Sequence, residues 1–96
     1  MPEYMAQLLE RCKAAIDDSE FDDEPAWSVY HNGRDKEDYT VHEFDFVRLD
    51  GGIYKDHLDV ITGFVKFAGY GSWFITKRNG KLCIRASIYN DKEQTR

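Results

Sequence analysis

The sequence predicts an α+β fold: a single N-terminal helix packed on a four- to five-stranded, mostly antiparallel meander sheet. Three observations predict it. Apolar residues recur at helical spacing before Pro25, and the pattern after it reads as strand. From about 27 to 90 the chain alternates apolar with polar residues, is rich in aromatics, and is punctuated by glycine turns. Near the C-terminus, Asn79-Gly80 sits between two alternating runs, the signature of a two-residue hairpin turn.

The helix is expected over about 3–18. Met5, Leu8, Leu9, Cys12 and Ile16 fall on one face at spacings of three and four. Pro2 and Glu3 suit a helix N-terminus. An acidic loop over 17–25 should follow, because Asp17, Asp18, Glu20, Asp22, Asp23 and Glu24 crowd the negative end of the helix dipole and stop the helix near Asp18.

The sheet is expected over about 27–90. Its first strand runs from Trp27 to His31, with Asn32-Gly33 opening a longer loop. Tyr39 to Leu49 forms the second strand. Thr40, His42, Phe44 and Phe46 lie on one of its faces, and Val41, Glu43, Asp45, Val47 and Leu49 on the other. After Asp50-Gly51-Gly52, an extended segment is expected from Leu58 to Phe67. The last hairpin pairs Arg78 with Lys81, Thr76 with Cys83 and Phe74 with Arg85, which puts Trp73, Ile75, Leu82, Ile84, Ala86 and Ile88 on one face. Residues 91–96 read as a frayed tail.

With 96 residues the chain can build one core, so 1–96 is read as a single domain. No window approaches the roughly 18 apolar residues of a membrane span, and no leader-like segment opens the sequence. The expected location is cytoplasmic, with no membrane partner. Cys12 and Cys83 are too few and too far apart for a disulfide framework or a zinc site. Cys12 sits on the apolar helix stripe as a small buried hydrophobe.

The net charge of −5 is unevenly distributed. Residues 1–48 hold thirteen acids and five bases, and residues 49–96 hold five acids and eight bases. A chain so divided suits oriented docking on a charged partner.

The acidic run lacks the glycine and the glutamate that an EF-hand loop needs at its sixth and twelfth positions. No metal or cofactor is expected. His31, His42 and His57 follow no metal-ligand spacing, and Gly71-Ser72 is no nucleophile elbow. These absences favour a non-catalytic role.

What remains is binding. One helix covers one sheet face and leaves the other to water or to a partner. The expected function is that of a small acidic accessory protein that binds and inhibits or adapts a larger macromolecule. The expected contacts are Asp17, Asp18, Glu20, Phe21, Asp22, Asp23 and Glu24 toward a basic protein surface, with Phe74, Arg85 and Tyr89 on the sheet face. A homodimer is a second expected use of that face.

The alternative is a ligand-binding or catalytic pocket between helix and sheet, lined by aromatics and with His42, Glu43 and Asp45 as its polar groups. Nucleic-acid binding through the C-terminal hairpin is a minor alternative. It rests on interleaved basic and aromatic residues and on Gly63-Phe64-Val65-Lys66-Phe67, half of an RNA-recognition string. The acidic net charge argues against it.

Overall fold

The computed structural model describes residues 2–18 and 27–91. Its element order is α1 (Glu3–Asp18), β1 (Trp27–Asp35), β2 (Tyr39–Arg48), α2 (Lys55–Ala68), β3 (Tyr70–Arg78) and β4 (Lys81–Asp91). The α+β class and the antiparallel four-stranded sheet agree with the sequence reading. The single helix and the meander do not.

The second helix replaces the extended segment expected from Leu58 to Phe67. Its buried residues are His57, Ile61, Phe64, Val65 and Ala68, a spacing of four, three, one and three that defines one helical stripe. Val60, Ile61, Thr62, Gly63 and Val65 disguise this stripe, because β-branched residues and glycine are poor helix formers. Packing overrides that propensity. The ends are fixed locally: the Tyr54 backbone N–H donates to His57 Nδ1 at 3.0 Å. Gly69 closes the helix at φ +148°, its N–H donating to the Val65 carbonyl.

The strand order is β1-β2-β4-β3, with every neighbouring pair antiparallel. β2 and β3 therefore run in the same direction, and α2 carries the chain between them over the position that β4 later fills. The unit is a split β-α-β. A helical connection can cross one strand position, about 10 Å, which a tight meander turn cannot.

The first hairpin is longer than expected. Asn32-Gly33 does not turn. β1 continues to Asp35, Gly33 pairs with His42, and the turn falls at Lys36, whose N–H donates to the Tyr39 carbonyl at 2.8 Å. The extension is held by an Arg34–Glu43 ion pair and by Thr40 Oγ1 donating to Asp35 Oδ1. The last hairpin matches its expected register throughout. Asn79 and Gly80 take φ +52° and +79°, the two positive angles of a type I′ turn. Near the other end of that hairpin β3 and β4 approach closely, and a Cβ on Gly71 would collide with the Ser87 carbonyl oxygen.

Both helices lie on one side of the sheet. Met5, Leu9, Cys12 and Ile16 of α1 join Ile61, Phe64, Val65 and Ala68 of α2 over Phe44, Phe46, Ile84, Ala86 and Ile88. Phe64 meets Phe44 and Phe46 edge-on, at 5.3 and 6.0 Å between ring centroids. Burial pushes the Cys12 thiol up to about 12 and raises that of Cys83 as well, which disfavours the thiolate form of each.

Candidate partner-binding face

The side of the sheet away from the helices is ordered into rows by strand register. Tyr30, Asp45, Arg85 and Phe74 stand side by side across β1, β2, β4 and β3. Arg34, Val41, Tyr89 and Tyr70 form a parallel row. Asn32, Glu43, Ser87 and Ser72 lie between them.

Asp45 is the ionic centre. It is 5% exposed, and a buried carboxylate needs partners. Arg85 Nε and Nη2 donate to its two oxygens at 2.8 and 3.1 Å, and Arg78 Nη1 donates at 2.7 Å. Hydrogen bonding from Arg85, reinforced by Arg78, holds the Asp45 carboxyl below the usual carboxylate range against the opposing effect of burial. Arg78 also stacks its guanidinium over Tyr30, 4.1 Å from the ring centroid. To reach Asp45, this side chain extends from β3 across β4 to β2. Cys83, on the same face, is fully buried.

Around this centre the face is aromatic and open. Tyr30, Tyr39, Tyr70, Phe74 and Tyr89 are between 38% and 82% exposed. A cavity of about 380 Å³ lies over Tyr30, Asn32, Glu43, Asp45, Arg78 and Arg85.

Of the residues expected to contact a partner, Phe74, Arg85 and Tyr89 are brought together here, Phe74 directly opposite Arg85. Asp17 is exposed on the last turn of α1. The side chain of Asp18 and all of Glu20, Phe21, Asp22, Asp23 and Glu24 lie outside the described residues.

The alternative pocket is divided by the sheet. His42 is 4% exposed on the helix side, where its Nδ1 lies 3.0 Å from His31 Nε2. Glu43 and Asp45 are on the opposite face, as the two-residue repeat of a strand requires. Burial, followed by the neighbouring His31, lowers the His42 pKa; burial also lowers that of His31. The pair shares one hydrogen bond and does not meet the carboxylates of Glu43 and Asp45 in one site. Among the described residues, no three of His, Cys, Asp and Glu converge to hold a metal ion, and no helix is long and apolar enough to cross a membrane.

The basic and aromatic set proposed for nucleic acid is also divided. Gly63 to Phe67 lies in α2 and not in a strand, so the half-matched RNA-recognition string has no sheet to sit on. Lys77 pairs with Leu82 on the helix side. Arg78 and Arg85 both pair with Asp45, whose single negative charge offsets one of the two.

The sequence reading missed Tyr30 and Tyr39 on this face. Their alternation with inward residues was readable, but their position beside Asp45 and Tyr89 depends on the β1-β2 and β2-β4 registers. Compared with protein-family models, curated proteins and solved structures, the chain finds no significant match.

Proposed function

We propose that this chain is a small protein-protein interaction module that docks its helix-free sheet face on a larger macromolecule, inhibiting or adapting it. The observation that supports the reading best is the row Tyr30-Asp45-Arg85-Phe74. Its rings are available for burial, and its charged groups are already fixed in position by one another. Aromatic and arginine side chains are the residue types that dominate binding energy at interfaces. Pre-paired arginines also lose little rotamer freedom on docking.

In this reading the acidic segment, Asp17 to Glu24, steers a partner with a basic surface. Self-association through the same face is the competing use. The buried free thiols of Cys12 and Cys83 fit a reducing compartment, and the proposal takes the cytoplasm as the place of action.

The test is a Phe74→Ala/Tyr89→Ala double variant beside the native protein. Both are first weighed by light scattering and then used to capture cell proteins quantitatively. The variant should keep the native melting temperature and lose a partner that the native chain retains stoichiometrically. If the two capture the same proteins equally, and neither self-associates, the face is not the docking surface.

A further inference from the structure

A second concavity, of about 500 Å³, lies at the end of the open face where β4 finishes and β3 begins, lined by four tyrosines with Asp38, Gly69 and Asn90. Tyr39, Tyr70 and Tyr89 come from three strands, and Tyr4 comes from α1. Tyr89 stands 5.8 Å from Tyr39 at 60° and 6.2 Å from Tyr70 at 49° between ring centroids and planes. The rings are therefore tilted to one another and do not form a flat stack. Tyr4 is fixed by its hydroxyl, which donates to the Ala68 carbonyl at 3.2 Å.

Three sources of negative potential converge on this space. The ring faces carry the negative lobes of their quadrupoles. Asp38 lines the cavity and enters no ion pair among the described residues. Gly69, the residue that ends α2, also lines it, so the negative end of that helix dipole abuts the cavity. An anion is disfavoured here on all three counts.

We propose that this cavity binds an alkylated ammonium group, the head carried by choline or by a methylated lysine side chain. Four tyrosines line the cavity, and ring surface suits a weakly hydrated cation whose methyl groups pack against it. A primary ammonium keeps a tighter hydration shell and needs several acceptors to leave it. The cavity shares Tyr39, Tyr70 and Tyr89 with the candidate partner-binding face, but a free small cation satisfies the proposal with no partner docked.

The experiment is an NMR titration of the whole labelled chain with choline chloride. The controls are 3,3-dimethylbutan-1-ol, choline's neutral counterpart of the same shape, and sodium chloride at matched ionic strength. Choline should produce saturable shifts at Tyr39, Tyr70 and Tyr89, with half-saturation in the millimolar range, and neither control should do so. Tyr70→Ala and Asp38→Asn should each weaken binding by about threefold or more. Tyr70 is 82% exposed, so its removal leaves the core intact, and an unchanged melting temperature checks this.

A trimethyllysine peptide and the same peptide with plain lysine then separate the two sources. Tighter binding of the methylated peptide than of choline assigns a protein side chain as ligand, and the reverse assigns a small molecule. Equal response to choline and its neutral counterpart, no saturable shift, undiminished binding by Tyr70→Ala, or a preference for a single-stranded oligonucleotide would each overturn the proposal.

Discussion

The two faces of this sheet are built from the same strands yet solve different problems. On the helix side, Phe44, Phe46, Ile84, Ala86 and Ile88 are fully buried under α1 and α2. There the driving force is loss of apolar surface from water. On the other side, the central strands hold Asp45 opposite Arg85 together with buried Val41, Val47 and Cys83, while Tyr30 and Phe74 stand on the edge strands and Tyr39 and Tyr89 toward one end. The same β2-β4 pairing places Phe44 opposite Ala86 on one side and Asp45 opposite Arg85 on the other. Strand alternation thus commits one face to the core and leaves the rings of the other partly in water.

The largest expected effect breaks the comparison directly. Phe44→Ala removes a fully buried ring that packs edge-on against Phe64 and should cost about 3–5 kcal/mol in chemical denaturation. Phe74→Ala removes a ring that is 50% exposed and should cost less than about 1 kcal/mol. If the two variants lose equal stability, the division of labour between the faces is wrong.

That division was partly legible in the sequence. The helix stripe Met5-Leu9-Cys12-Ile16, the β2 alternation and the Asn79-Gly80 turn are local patterns, and each appears in the structure. What could not be read was tertiary. α2 carries β-branched residues and a glycine, so its helicity depends on burying Ile61, Phe64 and Val65 against a sheet that the local pattern does not reveal. Asn32-Gly33 has turn chemistry, yet the pairing of β1 with β2 carries it through as a strand. Of the candidate site, Phe74 and Arg85 were paired correctly because one hairpin contains both. Arg78 reaching Asp45 spans 33 residues, and no short-range signal announces it.

A smaller effect sharpens the account of the ionic centre. Asp45→Asn leaves two guanidinium groups beside a neutral amide and should cost about 1–3 kcal/mol. The native protein should show the same dependence on pH. Because the folded-state pKa of Asp45 is depressed, its contribution is present above the unfolded value near 3.8 and is lost as pH falls below it. The depressed values of His31 and His42 act earlier. Well above 6.5 both imidazoles are neutral in either state. As pH falls below 6.5, the unfolded chain takes up protons first and stability declines. Denaturation across pH 3 to 8 should therefore show two declines on acidification, and Asp45→Asn should flatten only the lower one.

The smallest expected effect has the opposite sign. Gly63 lies in the middle of α2, and a Cβ added there meets nothing within 4 Å. It borders the groove between the helices, with Leu8, Cys12, Val60 and Phe67. Glycine inside a helix costs about 0.5–1 kcal/mol relative to alanine, so Gly63→Ala should stabilise the protein by about that amount in denaturant titration. The helix layer would gain stability while the open face kept its rings and charges. A stabilised variant with unaltered partner capture would exclude the inter-helix groove from binding. Reduced capture with raised stability would instead show that the inter-helix groove takes part in binding, because the added methyl group changes nothing on the far side of the sheet.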